Sequence, residues 1–184
     1  MLTHRGTVEL KTDRLLLRKI RLDDAEAVFY GWTGSEQAAK YTTWYAHRSV
    51  DDTRAFIGYL LSGDDESSYN WIIELDGRAV GTVNVCYSDE AAGVCGIAYA
   101  LSPPLWGNGI VTEALRTVAA FLFDCVGYRK IIAGCDCDNT GSAKVLEKIG
   151  MKQEARLRAQ IRRKDGSFGD DLQFGLFREE LIRQ

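Results

Sequence analysis

Residues Trp106-Gly107-Asn108-Gly109-Ile110-Val111-Thr112-Glu113-Ala114 place two glycines, one residue apart, between an apolar strand and a long amphipathic helix. The strand in front reads Val94-Cys95-Gly96-Ile97-Ala98-Tyr99-Ala100-Leu101 and is stopped by Pro103-Pro104, which cannot donate ladder hydrogen bonds. Behind the glycines, Leu115, Val118, Ala119, Leu122 and Phe123 recur at three- and four-residue steps, the pattern of a buried helical face. The first amides of a helix lack intrahelical partners and sit at the positive end of its dipole, and glycine lets the backbone close on a ligand. The junction is therefore suited to cradle a phosphate. It is not a dinucleotide fingerprint: the third glycine of that motif would fall at Thr112, and the acidic residue it requires at the end of a second strand is missing.

A second constellation follows another apolar strand, Lys130 to Cys135. It reads Asp138-Asn139-Thr140-Gly141-Ser142-Ala143-Lys144-Val145-Leu146-Glu147-Lys148-Ile149-Gly150-Met151. Together the two resemble the GNAT acetyltransferase superfamily, with its Gly-x-Gly pyrophosphate loop and its Asn-x-x-Ser-x-x-Val-Leu-Glu-Lys-x-Gly-Met helix. The run Thr12-Asp13-Arg14-Leu15-Leu16-Leu17-Arg18, then Asp23-Asp24-Ala25, with Trp106 and Thr112-Glu113-Ala114, looks like the Rim-type branch, which includes enzymes acetylating ribosomal-protein amino termini. The resemblance covers nearly the whole chain.

The resemblance implies a single domain over residues 1–184. Its two strands before the motifs run parallel and splay into a slot for acetyl-CoA. The backbone of Ala100 and Leu101 would pair with the pantetheine amides, and the loop and helix start from Trp106 through Gly107, Asn108, Gly109, Ile110 and Val111 to Thr112 would hold the pyrophosphate. Asn139 would bind the pantetheine arm, while also being a natural helix cap. Transfer to an amine passes through an oxyanion needing an N–H donor, for which the Leu101 amide is the candidate. Leu146 stands where many of these enzymes carry a tyrosine that protonates the departing thiolate, so Ser142 is the expected substitute. Glu154 is the first candidate for general base, with Asp170 and Tyr99 behind it. Val111 also departs from the superfamily's small residue, leaving the amide alone to contact pyrophosphate.

The acceptor must attack uncharged. An α-amine with pKa near 8 needs about 1.4 kcal/mol at pH 7, whereas a lysine near 10.4 needs about 4.6. With no carboxylate conspicuous as the base, the expected acceptor is a peptide or protein amino terminus. The alternatives are a small-molecule amine (antibiotic, amino sugar or polyamine) and an acyl-CoA-binding module without catalysis. Trp32, Tyr41, Trp44, Tyr45 and His47 fall where this fold often walls the acceptor side, and also suit a core.

The remaining sequence fits a mixed α/β (α+β) domain with about seven strands, mostly antiparallel, and about four helices. A first strand covers Arg14 to Arg18 and a helix starts near Asp23. Ser49-Val50-Asp51-Asp52 reads as a capping box opening a second helix. Tyr69 to Glu74 and Arg78 to Tyr87 form a hairpin about Asp76-Gly77, and Gln153 to Arg163 and Phe168 to Phe177 close the chain about Asp165-Gly166.

The 184 residues can hide roughly 70% of their unfolded surface. A net charge of −3 gives no footprint for nucleic acid, and the chain shows neither a membrane-length apolar run nor a signal-peptide core at Met1-Leu2-Thr3-His4-Arg5. The expected setting is the cytoplasm, as monomer or homodimer. Cys86, Cys95, Cys125, Cys135 and Cys137 are odd in number and irregularly spaced, against a disulfide framework. Cys135-x-Cys137 lacks a second ligand pair, so no metal is expected.

Overall fold

The computed structural model describes residues 2–183. In chain order the elements are β1 (Leu10–Lys11), β2 (Leu15–Lys19), α1 (Ala25–Val28), α2 (Glu36–Ala39), α3 (Val50–Leu61), β3 (Asn70–Leu75), β4 (Arg78–Asp89), β5 (Val94–Leu101), α4 (Ile110–Phe121), β6 (Lys130–Asp136), α5 (Thr140–Lys148), β7 (Lys152–Arg162) and β8 (Phe168–Phe177). The strands form one sheet in the order β1-β2-β3-β4-β5-β6-β8-β7, with β5 and β6 parallel and the other neighbours antiparallel.

Both faces of the sheet are covered. Trp71 and Ile73 of β3 join a core with α4 through residues such as Ala114, Leu115 and Val118, while Ile72 meets Ile20, Val28, Trp32 and Ile57 on the other face. Burial on both faces explains the continuous apolar run of β3. The buried Trp71 indole is also satisfied, since Nε1 donates to the Val8 carbonyl at 2.8 Å.

Local chemistry sets the ends of the elements. The Ser49 hydroxyl accepts from Asp52 N at 3.1 Å, and Asp52 Oδ2 accepts from Ser49 N at 3.1 Å, completing the capping box. Asp76 and Gly77 both take positive φ, 50° and 73°, as a tight two-residue hairpin requires. The sheet has one strand more than the sequence led us to expect. The addition, β1, is two residues paired to Leu17 and Leu16, too short for an alternation signal. The helix expected from Asp23 begins as a 3-10 turn at Leu22–Asp24, continues as α1 and widens into a π turn at Phe29–Thr33, and α2 is an additional helix.

The parallel pair is what positions the site. Pairing between β5 and β6 covers only Val94–Lys130, Cys95–Ile131 and Gly96–Ile132. Beyond it, β5 stays with β4 as far as Leu101 opposite Gly81, whereas β6 stays with β8 as far as Asp136 opposite Asp171. A bulge in β4 between Val85 and Tyr87 lies opposite the point of divergence, where a local increase in twist turns one arm away from the other. A slot opens between Ile97–Leu101 and Ala133–Asp136.

Candidate active site

The glycine loop closes one end of the slot. Gly107 and Gly109 have φ of 82° and 75°, in the left-handed region, and Gly109 is the N-cap of α4. The first intrahelical bond of the α4 start runs from Glu113 N to Gly109 O at 3.0 Å, so the amides of Ile110, Val111 and Thr112 precede the helix ladder. Side chains brace the loop from behind. Trp106 Nε1 donates to Leu101 O at 2.9 Å, and Asn108 Nδ2 donates to Leu105 O at 3.1 Å. Arg14 donates to Asn108 O at 3.2 Å and, through Nε, to Glu113 at 2.7 Å. Burial opposes the Glu113 charge, but hydrogen bonds from Thr12 and Arg14 outweigh it and hold Glu113 below its ordinary range.

Three cations meet at this loop. Arg14, Arg116 and Lys148 line, with Asp13, Glu113, Gly109 and Thr112, a cavity of about 430 Å³, in which Arg14 is paired to Glu113 at 2.6 Å. Arg116 gives one donor to Lys148 O at 3.0 Å, and its buried Nε finds no partner among the described residues. An added Cβ at Gly107 would meet nothing within 4 Å, so the space above the loop is open. Free amides, clustered cations, an unused buried donor and open space all fit the phosphates of a CoA thioester.

The strand edge corrects one expectation. Ser102 N donates to Val80 O at 2.9 Å, and in an antiparallel ladder the bonding direction alternates. Ala100, opposite Thr82, therefore directs its peptide groups at β4, and Tyr99 and Leu101 direct theirs at the slot. On that edge the Leu101 carbonyl already accepts the Trp106 indole.

On the α5 side, Asn139 is the N-cap, its Oδ1 accepting from Ser142 N at 3.2 Å. The Ser142 hydroxyl lies 2.6 Å from the Tyr99 hydroxyl, so the two link α5 and β5 across the slot. Burial pushes the Tyr99 phenol well above its ordinary range and raises the Cys135 thiol beside it. Leu146 is fully buried in the core and offers no acid.

The carboxylates separate. Glu154 is exposed, ion-paired to Lys130 Nζ at 2.6 Å, and lies against Gly175, on a strand not adjacent to the slot. Asp170 accepts from Ala159 N at 2.9 Å and from Arg156 at 2.6 Å, which hold it below its ordinary value. Asp171, which the sequence reading passed over, lines a cavity of about 420 Å³ with Gly134, Asp136, Tyr41, Arg162 and Lys164 on the face opposite α5. Trp44 and Tyr45 stand at this end through Lys164, whose ammonium lies 5.9 Å and 5.4 Å from their ring centroids. Trp32 is core, and His47 bonds Thr53 at 2.8 Å, its pKa lowered by burial. Asp136, Cys137 and Asp138 come close enough to hold a cation, but Arg163 binds both carboxylates at 2.7 Å and neutralises them.

The sequence profile of the acetyltransferase (GNAT) domain matches residues 14–152, so the chain belongs to the GNAT acetyltransferases. Its enzyme class is acetyl-CoA-dependent N-acetyltransferase, consistent with relatives bearing that name. The uncharacterized N-acetyltransferase p20 of Bacillus licheniformis is 28% identical, over 93% of this chain and 97% of the relative. Among solved structures, the microcin C7 self immunity acetyltransferase MccE, in complex with acetyl-CoA and AMP, has a TM-score of 0.83 at 21% identity, over 90% of this chain and 93% of that one. The ribosomal-protein-S5-alanine acetyltransferase of Vibrio fischeri has a TM-score of 0.82 at 16% identity, over 95% and 99%. Among the described residues no helix is long and apolar enough to cross a membrane.

Proposed function

We propose that this N-acetyltransferase acts on a peptide or protein α-amine, as a member of the Rim-type branch, with the whole chain forming one catalytic domain. The observation that carries the acetyl-CoA half of the reading is the splay past Gly96 and Ile132, with a glycine-started helix at its mouth. The branch rests on the sequence resemblance of the Thr12 to Arg18 run, Trp106 and Thr112-Glu113-Ala114. The pyrophosphate of acetyl-CoA rests on the amides from Gly107 through Asn108, Gly109, Ile110 and Val111 to Thr112, with Trp106 bracing the loop. The CoA phosphates draw on Arg116 and Lys148 as counter-charges, while Arg14 stays paired to Glu113 and holds the loop. The pantetheine arm then runs down the slot past Asn139 and bonds the slot-facing backbone of β5.

In this arrangement the amine lone pair forms the N–C bond while the thioester carbonyl electrons move onto oxygen. The amide of Leu101 or Tyr99 donates to that oxygen. Ser142, oriented by the Tyr99 hydroxyl, relays a proton to the leaving sulfur. A thiol of pKa near 8.5 needs little help, which suits a serine where a tyrosine is usual.

Acceptor class is tested by thiol release over a panel of amino-terminal peptides, lysine side chains, amino sugars and polyamines. The expected result is fastest turnover on peptide α-amines, rising with pH toward the amine's own pKa. Efficient transfer to lysine at pH 7 with α-amines inert would refute it. Turnover confined to small amines would move the enzyme to the small-molecule class, and CoA binding without any transfer would make it a binding module.

A further inference from the structure

We infer that Asp171 is the general base of the transfer, taking the proton from the acceptor ammonium on the face of the sheet opposite Ser142. The inference rests on the acetyl-transfer reading above and adds the group that activates the acceptor.

Strand alternation places the carboxylate. Leu172, Phe174 and Leu176 of β8 pack into the α4 and α5 core, so Asp171, Gln173 and Gly175 point to the other face. There the Asp171 side chain leans over β6: a Cβ built on Gly134 would lie 3.1 Å from Asp171 Oδ1 and 2.8 Å from Gln173 Nε2. Gly134 lies beyond Ile132, where β6 has already left β5, so the carboxylate sits above the open arm of the slot. The absence of a side chain at Gly134 is what admits it. Oδ2 accepts from Gln173 Nε2 at 2.6 Å, and Oδ1 has no donor among the described residues.

The two faces then divide the chemistry. Ser142 and Tyr99 meet across the slot on the helix side, and Asp171 faces the 420 Å³ cavity on the other. A thioester threaded between the arms has its leaving sulfur within reach of one face and its attacking amine on the other. Asp171 accepts one proton from R–NH3⁺, and the lone pair so freed forms the C–N bond. The nitrogen's second proton ends on sulfur as the C–S bond breaks, and Asp171 returns its proton to water. The reaction balances as ammonium plus thioester giving amide, thiol and one proton.

The surroundings leave Asp171 available. Burial raises its pKa, the Gln173 bond lowers it, and Asp136 beside it on β6 raises it again. Tyr41 and Lys40 after α2, with Arg162, Arg163 and Lys164 at the β7–β8 turn, are the other titratable groups lining the cavity, and Cys135 of β6 joins its wall with its thiol turned to the Ser142 face. Arg163 is occupied by Asp136 and Asp138, and Lys164 by the Ala39 carbonyl. Glu154, in contrast, is already neutralised by Lys130.

The test is a pH–rate profile on the best acceptor of the amine panel, for the wild type and for Asp171→Asn, Asp171→Glu and Gln173→Leu. Melting curves and acetyl-CoA calorimetry accompany each variant. Asp171→Asn should bind acetyl-CoA normally yet lose about 10²-fold or more in kcat at pH 7, the usual worth of a general base. The deficit should shrink as pH approaches the amine's pKa. Asp171→Glu should restore part of the rate and an acid limb. Gln173→Leu should move that limb to higher pH by removing the bond that lowers the Asp171 pKa. A folded Asp171→Asn enzyme with the wild-type profile would overturn the proposal while leaving the acetyl-transfer reading intact. So would loss of the acid limb in Glu154→Gln alone. A wild type that binds acetyl-CoA but acetylates no amine would instead overturn the reading beneath it.

Discussion

Replacing Gly109 by valine isolates the phosphate cradle. Gly109 holds φ at 75°, where an L side chain costs about 1–2 kcal/mol, and a branched one is the worst case. At this chain length each kcal/mol lowers Tm by about 2–4 °C, so the variant should melt roughly 2–8 °C early and remain folded at 25 °C. The added Cβ would lie in ordinary contact with Arg14 Nη2 at 3.7 Å, and we expect the two further methyl groups and the backbone strain to shift that guanidinium or the loop. Either movement turns the first amides of α4 away from the anion. Loss of two charge-assisted hydrogen bonds at about 1.5–3 kcal/mol each is about 3–6 kcal/mol, or roughly 10²–10⁴-fold in affinity. Titration calorimetry with acetyl-CoA and CoA at one ionic strength measures this directly. Gly107→Ala, whose Cβ would meet open space, carries backbone strain without the collision and should fall between valine and wild type. A folded Gly109→Val protein with undiminished CoA affinity would refute the cradle.

Three further outcomes follow from other parts of the molecule. Ser142→Ala should leave acetyl-CoA affinity near wild type and lower turnover under conditions where chemistry is the slow step, while full turnover would reduce Ser142 to a helix residue. Asp136 is buried and its bonds to Arg163 hold it below its ordinary 3.8, so its contribution to stability is present above that pH and lost as pH falls through the lower folded value. Asp136→Asn should therefore lower Tm at neutral pH and flatten the acid limb of a Tm–pH curve, and an unchanged limb would place the acid sensitivity elsewhere. Thr53 joins Thr33 at 2.9 Å and His47 at 2.8 Å, and Thr53→Val strands those partners at a cost of about 1–3 kcal/mol, so an unaltered melting curve would contradict the network.

The regular parts of the fold were legible because each carries a local signal. The Asp76-Gly77 turn, the Ser49 box, the proline stop after Leu101 and the glycine-started helix all depend on residues close in sequence. β1 was not legible, because two residues cannot display a period. The break between α1 and the π turn at Phe29–Thr33 left no mark in the apolar spacing. The slot itself is a matter of register, since only the pairing of Gly96 with Ile132 and the bulge across from it decide where the arms part. Ala100 and Leu101 looked equivalent for the same reason, until the bond from Ser102 to Val80 fixed which of them faces the slot. Asp171 did carry a signal, as a charged residue in phase with Gln173 and Gly175 on a strand whose alternate positions are Leu172, Phe174 and Leu176. What the sequence lacked was the knowledge that the polar face of that strand looks over a glycine rather than into water.

The placement of the tryptophans gives the enzyme optical reporters of its own. Trp32 and Trp71 are sealed in the core, whereas Trp106 is 47% exposed and bonded to the Leu101 carbonyl, and Trp44 lies under Lys164 beside the opposite cavity. Collisional quenchers therefore sample chiefly Trp106 and Trp44. Occupation of the loop end of the slot should shield the first, and occupation of the acceptor end should change the emission of the second. Single replacement of either by phenylalanine leaves the other as an indicator, so the order in which the two substrates arrive becomes readable from unlabelled protein in a stopped-flow fluorimeter.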